Sequence, residues 1–272
     1  MAYATPRTIY SLWLQGRDNA PEIVRLNFER WEALNPGYEF MVLDAADVDW
    51  LLADFNLKPR EMTMQALSDV VRTRLLQNGG VWVDATVFPT QPLDAWLPDL
   101  TKHSGFFAFE RPGPDRPLST WFLAAAKNHV LIKKWLAEIH KYWSKPRRLN
   151  TYDGKLIPPD PVSRVAPHSG AQSDEFPYFW HHYLFAYLLE IDPVFAHHWN
   201  RCAKRSADAP HRLKRLFAEG RGSESAAVAR TARCAPVHKL DWRNAYPMSA
   251  FHELLYQQPM HRAHFSQGAA AG

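Results

Sequence analysis

Cysteine is nearly absent from this chain. Cys202 and Cys234 are the only two in 272 residues, and they stand far apart without a metal-ligand spacing. That excludes a disulfide framework and favours a reducing cytosol. Long apolar runs are absent as well: none approaches the roughly 20 residues needed to span a bilayer. Met1 to Arg7 lacks the charged-then-apolar pattern of a signal peptide. The expectation is a cytoplasmic protein, soluble or held only peripherally at the inner membrane. No nucleic-acid-binding motif accompanies the basic residues, so nucleic acid is not expected as a partner. Internal repeats are lacking too, and no linker divides the chain, which reads as one domain over 1–265 with a flexible tail at 266–272.

Tryptophan, by contrast, is abundant, with eleven residues. So much aromatic surface suits a large core or a site that stacks on sugar and base rings. Basic residues gather between Arg201 and Arg233, including Lys204, Arg205, Arg212, Lys214, Arg215, Arg221 and Arg230. This cluster reads either as a solvated basic loop or as a contact for anionic lipid or a phosphate-bearing acceptor.

The pattern along the chain is β-α-β. Thr8–Leu14 is short, apolar and rich in strand formers, and Gln15–Asn19 is a polar turn. Pro21 suits a first helical position, Val24, Phe28 and Trp31 recur at helical spacing, and Asn35-Pro36-Gly37 ends that helix. Tyr38–Leu43 is a second strand. This order predicts an α/β fold with a mostly parallel sheet. Gly105–Phe109 and Trp121–Ala125 read as further strands, followed by a helix through Trp143, and Phe179–Ile191 as an aromatic helix. Lys145–Pro177 reads as a long loop, either a lid or binding segment or a disordered stretch, and Ser206–Ala235 as partly unordered.

The informative stretch is central. Leu67, Val71 and Leu75 form an i, i+4, i+8 stripe, and Asn78-Gly79-Gly80 ends the helix with residues that tolerate positive φ. Val81-Trp82-Val83-Asp84 then reads as a buried strand delivering a carboxylate at its carboxyl end, where ligands gather in open α/β sheets. Asp69 and Arg72, three apart, share a helix face; alone they read equally as a surface ion pair or as a sugar-binding pair.

Ser68-Asp69-Val70-Val71-Arg72, followed by Gly79-Gly80-Val81-Trp82-Val83-Asp84-Ala85-Thr86, resembles the central motif of the capsular polysaccharide synthesis glycosyltransferases. These are similar to the wider Asp-X-Asp sugar-transferase group. Leu12-Trp13-Leu14-Gln15-Gly16 resembles that group's opening motif. Asn35–Glu39, Trp121–Ala125 and His238-Lys239-Leu240 resemble later landmarks.

The resemblance implies a GT-A-like fold with an irregular C-terminal acceptor region, a nucleotide-sugar donor such as a UDP-sugar, and a glycan or lipid-linked glycan acceptor. It implies a hexosyl transfer, with a lean towards retention. Asp69, Arg72 and Asp84 would be the catalytic group, and Leu12, Trp13, Gln15, Gly16 and Lys239 would join them around the nucleotide, with Trp13 at the base. Asp84, Thr86 and His238 would hold Mn²⁺ or Mg²⁺, oxygen-preferring cations that use few protein carboxylates. Thr86 stands where the wider group has its second Asp, which leaves metal dependence open. Trp242 would cover the site. The pair His181-His182 reads as packing, since no further ligand stands at i+4 spacing. For an inverting reaction Glu110, Asp174 and Glu175 are the candidate bases. A nucleotide-sugar-binding module without catalysis and a protein-glycosylating effector are the rival readings.

Overall fold

The computed structural model describes residues 5–53, 62–152, 155–156, 175–244 and 246–256. Its centre is a five-stranded sheet of β1 (Thr8–Leu12), β2 (Glu39–Leu43), β3 (Gly80–Val83), β5 (Phe106–Gly113) and β6 (Arg116–Ala125). The spatial order is β2-β1-β3-β6-β5. β1 runs parallel to both β2 and β3, whereas β6 is antiparallel to β3 and to β5. The expected α/β class holds, with a mixed sheet instead of a mostly parallel one. The cause is local: only Pro114 and Asp115 join β5 to β6, and so short a connection makes an antiparallel pair.

Period-two alternation assigns each strand's side chains to two covered faces. Ile9, Val81, Val83, Phe122 and Ala124 point to one side, where Trp31 of α1 (Glu22–Leu34), Trp96 and Leu97 pack over them. Tyr10, Leu12, Trp82, Leu123 and Ala125 point to the other. There they meet α3 (Met64–Leu76), α5 (Val130–Tyr142) and α6 (Trp180–Ile191). Asp44 caps the short α2 (Ala45–Leu51) after β2, its side chain accepting from the Ala46 and Asp47 amides.

The stripe on α3 is buried as expected at Leu67, Val71 and Leu75, but the helix is covered on nearly every side. Thr63 caps its start through a bond from the Ala66 amide, and Gly79, at φ +80°, turns the chain straight into β3. That tight helix-to-strand junction fixes α3 beside the strand that carries Asp84.

After β3 the chain forms β4 (Val87–Pro89), α4 (Leu97–Thr101) and the β5–β6 hairpin. α7 (Pro193–Asn200) follows α6 directly, Asp192 capping its start. In the expected loop 145–177, β7 (Arg148–Leu149) pairs with β10 (Glu175–Phe176), and β8 (Thr151–Tyr152) with β9 (Lys155–Leu156). Residues 153–154 and 157–174 of that loop, Asp174 among them, and the expected tail at 266–272 lie outside the described residues.

The segment 206–235, expected to be partly unordered, instead forms α8 (Asp208–Ala218) and α9 (Ser225–Ala232). Leu213, Leu216, Val228 and Ala232 bury beneath the arginines, in a cluster with Phe28 and Phe251 of the final helix α10 (Met248–Tyr256). The density of charge had masked a helical apolar face. β11 (Val237–Lys239) then returns to pair antiparallel with β4, setting Lys239 opposite Val87 and His238 opposite Phe88.

Gly80 permits the close approach of β3 to β1. At φ +118° an added Cβ would stand 2.7 Å from the Thr8 carbonyl oxygen and 2.9 Å from the Tyr10 ring. Gly220 also has positive φ, at +74°, but with nothing within 4 Å. Urea denaturation will show Gly80→Ala destabilised by roughly 3 kcal/mol or more and Gly220→Ala by only about 1 kcal/mol.

Candidate active site at the carboxyl end of β3

Asp84 follows β3 directly and, two residues after Trp82, falls on the same side of the sheet, facing α3. The Trp82 indole Nε1 donates to Asp84 Oδ1 at 3.0 Å. Arg72 Nη2 approaches the same oxygen at 3.3 Å, and the ammonium of Lys239 lies 2.9 Å from Oδ2. The Asp84 side chain is 23% exposed, so it ends a buried strand yet reaches the surface. Burial alone would raise its pKa, but Lys239 and Arg72 outweigh that and hold it at about 2.

Arg72 links this carboxylate to a deeper one. Its Nη1 is 2.9 Å from Asp69 Oδ1 and donates to the Thr120 carbonyl oxygen, also at 2.9 Å. Nε and Nη2 bond back to the Ser68 carbonyl and hydroxyl oxygens, and the guanidinium lies over the Trp82 ring at 5.2 Å. Every edge of the fork is thereby engaged. The i, i+3 pair read from the sequence is no surface ornament: both side chains are buried, at 7% and 10% exposure.

Behind Asp69 stands His181 of α6, fully buried, its Nδ1 3.4 Å from Asp69 Oδ1 and its Nε2 2.9 Å from Thr73 Oγ1. The ring stacks on Trp135 at 3.9 Å. Burial lowers the His181 pKa, against the pull of Asp69, so the ring is neutral. The Thr73 hydroxyl beside Nε2 donates in turn to the Asp69 main-chain carbonyl at 3.0 Å, tying the ring to the helix turn that carries Asp69. For Asp69, burial favours the neutral acid; Arg72 and His181 overcome it and lower the pKa.

The result is a continuous polar chain, Lys239–Asp84–Arg72–Asp69–His181, running from the partly exposed Lys239 into the interior. Two carboxylates and two cations balance within it. Tyr178 faces the same group: burial first, then Asp69 and Asp84, raise its pKa. His211 of α8 packs against Trp121 and is held neutral, at about 4, by burial and by nearby Lys239 and Arg215.

Of the other expected residues, Trp13 is half-buried and meets Trp242 edge-on at 5.8 Å. Its amide donates to the Leu43 carbonyl at 2.9 Å. Leu12 is packed into the core and offers no side chain to a ligand. Gln15 is exposed, and Gly16, at φ +82°, starts the turn Arg17–Asn19. Thr86 Oγ1 accepts a hydrogen bond from Lys239.

His238 is a correction. Adjacent strand residues face opposite ways, so with Lys239 turned to Asp84, His238 turns inward. It is fully buried, with Nε2 3.0 Å from the Ala232 carbonyl oxygen, and burial pushes its pKa down to about 4. Among the described residues no group of three His, Cys, Asp or Glu side chains could hold a metal ion. Of the three expected cation ligands, His238 is turned into the core, and Asp84 and Thr86 are both bonded to the Lys239 ammonium.

Glu175 pairs with Arg148 at 2.8 Å, and the Glu110 main-chain carbonyl accepts from the Ala207 amide at the start of α8. A hollow of about 310 Å³ lies apart from this cluster, lined by Arg212, Arg215, Leu216, Glu219, Arg230, Thr231 and Cys234. Its cations are exposed and face solvent, so the buried charge chain is the stronger chemical site.

A carboxylate at the carboxyl end of a central strand, with cations converging on it, defines an α/β protein whose polar site lies at the sheet edge where ligands collect. A family model described as a capsular polysaccharide synthesis protein matches residues 3–153, more than half of the chain. The chain belongs to that family. It is 30% identical over 156 residues to the candidate glycosyltransferase HOC1 of Saccharomyces cerevisiae, a match covering 49% of this chain and 39% of that protein. It is 27% identical over 159 residues to the O-glycosyltransferase braB of Annulohypoxylon truncatum, covering 50% and 38%. The chain thus spans less than two-fifths of the length of these relatives. Among solved structures, a glycosyltransferase involved in glycosylation of the major capsid of PBCV-1 aligns at 13% identity with a TM-score of 0.42, over 91% of this chain and 98% of that one.

Breaking a buried ion pair leaves the partner uncompensated. Arg72→Met will lose about 3 kcal/mol or more in urea denaturation. The double variant Asp69→Asn/Arg72→Met will lose less than the sum of its single changes, by about 1–2 kcal/mol, because the two groups share one interaction.

Proposed function

We propose that this chain is a glycosyltransferase moving a hexose from a nucleoside diphosphate sugar, with uridine as the base, to a glycan or lipid-linked glycan in surface polysaccharide synthesis. The observation that carries the reading is the partly exposed end of the polar chain: Asp84, Lys239 and Arg72 meet at the carboxyl edge of β3.

Breaking a glycosidic bond to a diphosphate builds negative charge on the departing oxygens, which fixed donors stabilise. Lys239 supplies such a donor at the opening. Asp69, held ionised by Arg72 and His181, accepts hydrogen bonds from sugar hydroxyls, and Arg72 orients it. The edge-on pair Trp13 and Trp242 offers an aromatic wall for the base. Retention of configuration suits this site, because a departing phosphate takes the acceptor proton on the same face and no separate base is needed.

We place the working protein at the cytoplasmic face of a membrane. From Arg201 to Arg233 nine basic residues face three acidic ones, a local excess of six in a chain of net charge +4. α8 and α9 hold Arg212, Arg215, Arg230 and Arg233 in or beside ordered helices whose apolar faces are already buried. This favours electrostatic attachment over insertion, and no helix among the described residues is long and apolar enough to cross a membrane. Sedimentation with vesicles will carry the protein down when phosphatidylglycerol is present and leave it in solution with phosphatidylcholine alone, the difference vanishing at high salt.

Transfer is tested by supplying UDP-hexoses with a mixture of membrane glycolipid acceptors and following UDP release. The wild type will turn over donor, and Asp84→Asn will reduce the rate about a hundredfold or more, as loss of a group that organises transition-state charge does. UDP binding without any release across the donors would leave a binding module in place of an enzyme.

A further inference from the structure

The Asp84-Ala85-Thr86 triplet is the place where the resemblance put a divalent cation, and the structure puts a side chain there. Lys239 Nζ lies 2.9 Å from Asp84 Oδ2 and donates to Thr86 Oγ1, so one ammonium bridges the Asp84 carboxylate and the Thr86 hydroxyl. The other Asp84 oxygen is taken by the Trp82 indole and Arg72. His238, the expected third ligand, is turned into the core.

This lysine is delivered by the fold. β11 pairs with β4 in register, Lys239 opposite Val87, and the Leu240 amide donates to the Thr86 carbonyl at 2.9 Å. Those backbone bonds tie residues 239–240 to the far side of the triplet, so the side chain has only to lie across it. Lys239 and Asp84 are each 23% exposed, which leaves the ammonium facing the opening. An ammonium has three hydrogens, and Asp84 and Thr86 take two. The third is available to a phosphate oxygen. A divalent ion at the same oxygens would stand in contact with a positive charge, in a group whose two carboxylates are already balanced by two cations.

We propose that Lys239 takes the place of the divalent cation: the chain binds its nucleoside diphosphate through this ammonium and does so without metal. The proposal rests on the nucleotide-sugar reading above. It assigns Lys239 as the group that touches the diphosphate, with Asp84 and Thr86 holding it in place.

Calorimetry of the full chain with UDP, and in parallel GDP, separates the two claims. With EDTA present the wild type will bind a nucleoside diphosphate with a Kd within about threefold of that in Mn²⁺, since one charge-assisted contact is the same in both. Lys239→Met will weaken binding in EDTA about tenfold or more, and Mn²⁺ will restore part of the loss by entering the vacated oxygens. Lys239→Arg, which keeps the charge, will retain more affinity than Lys239→Met. Binding by the wild type only in Mn²⁺ would overturn the proposal while leaving the nucleotide-sugar reading intact. Failure of both nucleotides to bind under either condition would overturn both. The wild-type comparison needs no variant, so misfolding of Lys239→Met leaves it decisive.

Discussion

Two carboxylates inside a sheet-and-helix sandwich are tolerable only if their charge is met, and that constraint organises much of this molecule. Asp84 and Asp69 are held ionised by Arg72 between them, by Lys239 at one end and by His181 at the other. Isolated buried charge costs several kcal/mol, which is why each group here carries more than one partner. The partners come from α3, β3, α6 and β11, so electrostatic balance ties together elements far apart in sequence. Arg72 is the pivot: its five donors reach the helix it sits on, the β6 backbone at Thr120 and both carboxylates.

A site of this kind is arranged before any ligand arrives. Its donors are fixed by packing: Trp82 by the strand, Arg72 by stacking on Trp82, and His181 by stacking on Trp135. Fixed dipoles need little reorganisation when charge develops nearby, and that is the physical basis on which such a cleft can favour a charged transition state. The same rigidity limits what else the cleft can hold, since every oxygen of Asp84 is already addressed.

Much of this was legible in the sequence, and the parts that were not have physical reasons. The strand ending at Asp84, the Gly79-Gly80 turn and the i, i+3 relation of Asp69 to Arg72 are short-range facts that periodicity exposes. Trp82 could have been read too, since two residues along a strand put it on the Asp84 side. His181 could not: its meeting with Asp69 depends on how α6 crosses α3, over a hundred residues apart in sequence. His238 and Lys239 carried a resemblance as a pair, yet a strand turns neighbours to opposite faces, so only one could serve the site. The helices α8 and α9 were missed because arginines between their apolar positions hid the helical face. The mixed sheet was missed because strand direction follows from connection length, which depends on where β5 and β6 end.

The pairing of β4 with β11 has a consequence for how the molecule is made. Asp69, Arg72 and Asp84 leave the ribosome long before residue 239 does, and domains begin to organise as they emerge. Until β11 is synthesised and docks, the outer carboxylate faces water without its ammonium. A growing chain therefore carries its two carboxylates before Lys239 exists to meet the outer one, and before the C-terminal helices around Phe251 are made. A chain that ended before β11 would carry Asp69, Arg72 and Asp84 without the ammonium that meets the outer carboxylate.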